Sequence, residues 1–290
     1  MATFLAIFLV LSVSFIFCAK TTSALSQNSK GLTVSPLRSE LEIAPGTSLD
    51  GGLMVTNSTD KPMKVSLNAE EFSVINQQYD YAFTEESGVA SWVTFASNEV
   101  SLAAGESQKV LYRVGAPLSA EPGGRYISLF AATDSQSQSE GISSRQRIAS
   151  LLYITVNGDV SRIGQLVSLS SPWVINGDSR WSVVLRNSGT THFRSRYSAQ
   201  LQNLLNHNID ASMSGDALIL PGTVRAVTGA LPAPKLPGFY KAIYTIGLGD
   251  TPAKIETRIV LYMPPAYGVL VMVMISLVLA VSIGRFLRRR

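Results

Sequence analysis

Between residues 31 and 263 the chain alternates apolar and polar positions in short runs. Residues 64–67, 181–185 (WSVVL) and 239–246 (FYKAIYTI) follow the two-residue period of a half-buried strand. Gly, Pro, Asn and Ser cluster between such runs, and no stretch reads as a convincing amphipathic helix. Short strands separated by turn residues predict an all-β chain built from sandwiches. The pattern changes at both ends. Residues 266–284 (AYGVLVMVMISLVLAVSIG) carry no charge over 19 positions. A helix of that length, at about 1.5 Å per residue, spans roughly 28 Å, close to the ~30 Å apolar core of a bilayer. Arg285, Arg288, Arg289 and Arg290 follow, and arginine gathers on the cytoplasmic flank of a membrane span. Residues 4–19 form a second apolar run, and Thr22-Ser23-Ala24 offers a small-residue cleavage site. This is the outline of a signal peptide cut after Ala24. An uncleaved N-terminal anchor is the alternative, because Lys20 stands on the far side of the run. The expected protein is a single-pass type I protein of the plasma membrane, with the bulk of the chain outside.

The middle of the chain is written twice. Gly46-Thr47-Ser48 opens a run that ends in Asn57-Ser58-Thr59, and Gly177-Asp178-Ser179 opens one that ends in Asn187-Ser188-Gly189. Glycine to asparagine is 11 residues in the first copy and 10 in the second. Later, Gly105 precedes Pro122-Gly123-Gly124-Arg125-Tyr126 by 17 residues to the proline, and Gly222 precedes Pro237-Gly238-Phe239-Tyr240 by 15. The kept order predicts two copies of one Ig-like fold. Each asparagine is expected to take a left-handed φ and close a hairpin. Each Pro-Gly pair is expected to make a corner, with Tyr126 and Tyr240 packing their rings on the core and tying down the loop. The expected division is a signal segment at 1–24, a first sandwich at 25–158, a second at 159–263, and an anchor with a basic tail at 264–290.

Charge refines this division. The whole chain carries +4, but Lys20 and the four tail arginines outweigh that excess, and residues 25–263 carry −1. A nucleic-acid footprint needs a basic domain, so nucleic acid is excluded as a partner. The one cysteine, Cys18, lies in the leader, which leaves the exported part without disulfides or a Cys/His metal cluster. No cofactor is expected. His192 and His207 are the only histidines, and neither has the setting of a hydrolase triad. No G-x-S-x-G elbow, calcium loop or phosphate loop occurs. Glu70-Glu71 and Glu85-Glu86 read as solvated surface charge, since neighbours on a strand point to opposite faces. Asn57-Ser58-Thr59 fits a glycosylation triplet, but reads first as a turn.

One constellation remains. The two halves differ in charge, with −5 over 25–158 and +4 over 159–263. In residues 191–201 (THFRSRYSAQL), period two turns Phe193, Tyr197 and Leu201 inward and His192, Arg194 and Arg196 outward. In the preceding run Trp181, Val183 and Leu185 face one way and Arg180, Val184 and Arg186 the other. If the two runs pair as a hairpin around Asn187, the four arginines share one outer face. Such a face suits an anionic cell-wall polymer or an acidic protein. A plain solvated strand face that also blunts sheet-edge pairing is the competing reading.

These pieces resemble the WxL-interacting proteins, two-domain membrane-anchored surface proteins of Gram-positive bacteria. The matching stretches are LTVSP, the Asn-Ser-Thr turn, Ser91-Trp92-Val93, LAAGESQKVLYRV leading into PGGRY, RIASLLYITVNGDV, LRNSGTTHF, ILPGTVR and PGFYKA, then the apolar run and basic tail. The resemblance spans residues 31–290. It implies no catalytic activity, a first domain implicated in peptidoglycan binding and a second in binding host or partner proteins. No tryptophan here stands in a W-x-L triplet, so the resemblance implies the anchored receptor rather than its W-x-L partner. The sequence therefore reads as a non-enzymatic cell-surface binding scaffold. A strand-exchanging assembly chaperone or adaptor is the alternative.

Overall fold

The computed structural model describes residues 31–85, 88–133, 136–137, 143–144 and 146–265, with 267, 274, 278, 281, 282 and 285. The leader and the cleavage after Ala24 lie outside the described residues. So do most of the apolar run and Arg288, Arg289 and Arg290; the positions described there, including Arg285, are helical. Among the described residues no helix is long and apolar enough to cross a membrane.

Strands dominate the rest, with one short 3-10 helix at Ala90–Trp92. The first half holds β1 (Leu32–Ser35), β2 (Arg38–Ile43), β3 (Ser48–Asn57), β4 (Met63–Val74), β5 (Tyr81–Thr84), β6 (Val93–Phe95), β7 (Glu99–Leu102), β8 (Ser107–Gly115) and β9 (Gly123–Thr133). A small pair, β10 (Gln136–Ser137) and β11 (Ser143–Ser144), precedes β12 (Arg147–Val156). The second half holds β13 (Gly164–Ser170), β14 (Val174–Ile175), β15 (Ser179–Asn187), β16 (Phe193–Asn203), β17 (Ile209–Ile219), β18 (Val224–Leu231), β19 (Gly238–Leu248) and β20 (Thr251–Tyr262).

In the first half, a sheet ordered β1-β3-β8-β6 packs on one ordered β2-β12-β9-β4-β5, with β7 beside β4. Leu53, Val55 and Val110 from one sheet meet Leu67, Ile127, Leu129, Leu152 and Ile154 from the other in a single buried cluster. In the second half β13-β15-β18 packs on β14-β20-β19-β16-β17. There Trp181, Val183 and Leu185 meet Leu201, Tyr244 and Ile246. In the second half the first, second and fifth long strands thus oppose the third, fourth, sixth and last, two packed antiparallel sheets of an Ig-like sandwich.

The opening strand of each sandwich serves both sheets. β1 runs antiparallel to β3. The chain then crosses at Ser35-Pro36, and β2 runs parallel to β12 over six residues. The second copy repeats the move: β13 lies antiparallel to β15, the chain crosses at Ser171-Pro172, and β14 runs parallel to β20 over two residues. Proline has no N–H for a ladder, so the crossing is where it fits.

The repeated asparagines differ from the turn residues expected. Each is the last residue of its strand and fully buried. Among the described residues the non-glycine residues with positive φ are Tyr79 and His207 instead. The side chain of Asn187 donates to Thr191 O (2.9 Å) and Ile219 O (2.8 Å) and accepts from Gly189 N (2.8 Å). Asn57 donates to Lys61 O (2.8 Å) and Ala103 O (2.9 Å) and accepts from Thr59 N (2.9 Å). Each amide ties the end of one strand to the turn before its neighbour, where Gly105 and Gly222 take φ of 74° and 72°. A carboxamide can donate and accept at once, which is why asparagine recurs. Burial also removes Asn57 as a glycosylation acceptor.

Replacing Asn187 with alanine leaves two buried carbonyls without their donor and should destabilise the protein by about 1–3 kcal/mol. Urea denaturation of the two proteins measures this. An unchanged midpoint would mean that the clamp contributes nothing.

Candidate functional site at the seam between the sandwiches

The shared arginine face does not form. β15 and β16 lie in different sheets, because residues 188–192 cross the sandwich instead of turning a hairpin. Of the residues period two turns inward, Trp181, Val183, Leu185, Phe193 and Leu201 are buried, and Tyr197 is half-buried against the same core. Arg180 and Arg186 are exposed on one sheet, Arg194 and Arg196 on the other. Arg194 forms ion pairs with both Glu40 and Asp216, so its charge is already matched. His192 is only 7% exposed, and it faces the first sandwich rather than solvent.

His192 belongs to a seam that joins the two sandwiches. Its ring lies 5.6 Å from that of Tyr126 and 5.5 Å from that of Tyr153, and the Tyr126 hydroxyl is 3.4 Å from Nδ1. Beside it Gly124 N donates to Thr190 O (3.0 Å), and the Thr155 and Thr191 hydroxyls are 3.1 Å apart. Burial is the main cause that lowers the His192 pKa to about 4; Glu40 opposes the shift, and Arg162 and Arg194 add to it. The imidazole is therefore neutral at pH 7 and offers no charge to an anion.

A second contact is made by the loop between β4 and β5. The loop holds Tyr79 at φ 69°, a conformation that costs a bulky residue free energy and persists only when its surroundings fix it. Four contacts do so. The Tyr79 hydroxyl accepts from Leu220 N (2.8 Å) and bonds the Thr223 hydroxyl (2.7 Å). The Arg225 guanidinium lies 4.3 Å over the ring, and Ala226 N donates to Gln77 O (2.8 Å). Burial raises the Tyr79 pKa, so the phenol remains protonated.

The two corner tyrosines sit differently. Tyr240 is fully buried in the second core, and its hydroxyl donates to Leu236 O (2.8 Å) and lies 3.0 Å from Asp210 Oδ2. Tyr126 is half-buried and turned outward to the seam, while its neighbour Ile127 enters the core. The cause is parity. Tyr240 stands three residues after its proline and Tyr126 four, and a shift of one residue exchanges the faces of a strand. That difference is visible in the sequence and is the signal that separates a core tyrosine from a seam tyrosine. Glu70 departs from the solvated role too. It is buried, paired with Arg147 and bonded by Asn68 Nδ2 (2.8 Å), and Arg147 lies 3.4 Å over the Phe130 ring. Among the described residues no group of His, Cys, Asp and Glu side chains is placed to hold a metal ion.

No family model and no curated relative matches the chain. Solved structures similar to it include the class 5 fimbriae chaperone CfaA, with TM-score 0.41 and 11% identity over 81% of this chain and 100% of that one. The CsuC–CsuE chaperone–tip adhesion subunit complex of Acinetobacter baumannii gives 0.38 and 11% over 80% and 99%. The Salmonella enterica SafA pilin–SafB chaperone complex gives 0.38 and 10% over 79% and 96%. The fold assignment rests on the strand pairings above, and no function is taken from these likenesses.

The buried neutral histidine sets a pH dependence. Unfolded, His192 titrates near its ordinary value of about 6.5. Between about pH 6.5 and about pH 4 the unfolded chain binds a proton that the folded chain does not. Stability should therefore be complete above pH 6.5 and fall by about 1.4 kcal/mol per pH unit as acid is added. His192→Gln removes that proton, so its denaturation midpoints at pH 7 and pH 4.5 should differ less than those of the parent. Equal pH dependence in the two proteins would show that His192 is charged or exposed when folded.

Proposed function

We propose that this chain is a non-enzymatic binding scaffold held at a plasma membrane, displaying two Ig-like sandwiches on the outer side to partner surface proteins. The observation that carries the reading is the end of the second sandwich from which residue 264 departs. Trp173 (78% exposed) and Leu205 (92%) stand there with Leu204, Leu236 and Phe239, all exposed. Their placement follows from the ladder. Leu261 N donates to Trp173 O (2.8 Å), Leu204 N donates to Phe239 O (3.1 Å), and Gly238 is opposite Tyr262. Exposed apolar clusters of this kind mark contact surfaces, and tryptophan favours the membrane–water boundary. The cluster lies where the chain runs on into the uncharged stretch 266–284 and the basic tail. It is thus on the side that a membrane would occupy if that stretch spans it. The resemblance to WxL-interacting proteins implies the same order of parts.

Protein partners are favoured over peptidoglycan or another anionic wall polymer. A polymer site needs concentrated positive charge, whereas the arginines divide between two faces and Arg194 is matched by carboxylates. The alternative of a strand-exchanging assembly adaptor is favoured by one observation, the thinly covered last strand of the second sandwich.

Two measurements test the anchoring. The full chain should stay with membranes through an alkaline carbonate wash, and a chain ending at Met263 should be released. In vesicles containing brominated lipid, the full chain's tryptophan fluorescence should be quenched, and Trp173→Phe should abolish most of the quenching. Release of the full chain by carbonate would overturn the anchor, and quenching unaffected by Trp173→Phe would overturn the surface contact.

A further inference from the structure

The two sandwiches close their last strands unequally. In the first, β2 pairs with β12 along Leu151–Val156. In the second, β14 pairs with β20 only at Leu261 and Tyr262. The stretch from Thr251 to Ile259 has β19 on one side and, among the described residues, no strand on the other. The N–H groups of Leu261 and Met263 point toward β14, donating to Trp173 O (2.8 Å) and Ile175 O (2.9 Å). A strand repeats every two residues, so the N–H and C=O groups of Ile255, Thr257 and Ile259 point the same way; nearer Thr251 the ladder to β19 slips at a bulge. The Arg258 guanidinium donates to Thr257 O (3.0 Å), and no described strand pairs on that side. Both side-chain faces are open as well: Lys254, Ile255, Arg258 and Ile259 are exposed. Such an edge is a template for another strand.

The side chains say which strand fits. Lys254, Glu256 and Arg258 alternate in sign along one face, with Glu256 3.7 Å from Lys254 and 3.4 Å from Arg258, and Ile255 and Ile259 lie on the other. We infer that the open edge of β20 pairs antiparallel with β20 of a second copy of this chain, about a two-fold axis at Ile255. That register is centred in the regular part of the strand, past the bulge near Thr251, and stops where β14 begins. It sets Lys254 opposite Glu256 of the second copy, and Glu256 opposite its Lys254. Ile255 meets its own copy, and the two five-stranded sheets become one continuous sheet. A register centred on Glu256 would set Glu256 against itself and Lys254 against Arg258, so the charges select against it. The contact is isologous, so it closes at a dimer. The inference rests neither on the membrane anchor nor on the choice of protein partners.

The test uses the full chain in detergent, with Cys18→Ser to remove the native thiol. Light scattering should give a dimer. Ile255→Cys should cross-link under a mild oxidant, because the Cα atoms of a directly hydrogen-bonded antiparallel pair lie about 5.5 Å apart, within disulfide reach. Ile259→Cys, also exposed but away from the axis, should not. Glu256→Lys makes all three charges positive and should raise the dimer dissociation constant about tenfold or more. Lys254→Glu combined with Glu256→Lys restores the alternation across the axis and should restore the dimer. These residues are exposed, and matching thermal melts would establish that the variants fold. A monomer by light scattering would overturn the inference. So would equal cross-linking at positions 255 and 259, or a dimer that Glu256→Lys leaves intact. Continued retention in membranes alongside any of these results would leave the anchored-scaffold reading standing.

Discussion

A strand at the rim of a sheet leaves peptide groups that must find a partner or face water. This chain meets that constraint by dividing the first strand of each sandwich between two sheets. β1 closes one sheet and β2 the other; β13 and β14 do the same in the second copy. The crossing needs a residue that gives up its ladder bond, and Pro36 and Pro172 supply it. How far the strand continues after the proline decides what the last strand presents. Six residues of β2 enclose the rear of the first sandwich, while two residues of β14 leave the second with an open edge. The same duplicated plan therefore covers the last strand of the first sandwich over six residues and that of the second over two.

The seam gives the two copies different surroundings. Phe72, Tyr79 and Tyr153 come from the first sandwich but pack in the buried cluster of the second. Gly31–Arg290 accordingly forms one compact unit. The outer face of the first sandwich is spent on this contact, which is why Tyr126 and Tyr153 are drawn there and why His192 is held neutral. The left-handed Tyr79 is the clearest sign of mutual fixing: a local conformation that costs free energy is held by a hydroxyl pair, a cation over the ring and a backbone bond from the other sandwich.

The polar groups of the seam are taken up by one another. His192 lies between phenols that burial keeps protonated, with the Tyr126 hydroxyl 3.4 Å from its Nδ1. Glu70 is occupied by Arg147 and Asn68. The chemistry on offer is that of surfaces: an exposed apolar end, an open strand edge and divided charge. The proposed roles follow from those three features.

The sequence by itself determined the elements. Alternation placed Trp181, Val183, Leu185, Phe193 and Leu201 on the core side. The repeated glycine, asparagine and proline spacings declared two copies, because period and turn chemistry are local properties of the chain. Parity after the Pro-Gly pair separates Tyr240 from Tyr126. Only the tertiary structure decided which strands share a sheet. A strand with an apolar inner face reads the same whether its successor turns back beside it or crosses to the opposite layer. Thus the runs around Asn187 fit a hairpin by pattern and form none, and the four arginines part. The same holds for Glu70, whose burial depends on Arg147 arriving 77 residues later. Partners that lie far apart along the chain leave no periodic trace, and the length of β14 against β20 became meaningful only once the neighbour of each edge was known.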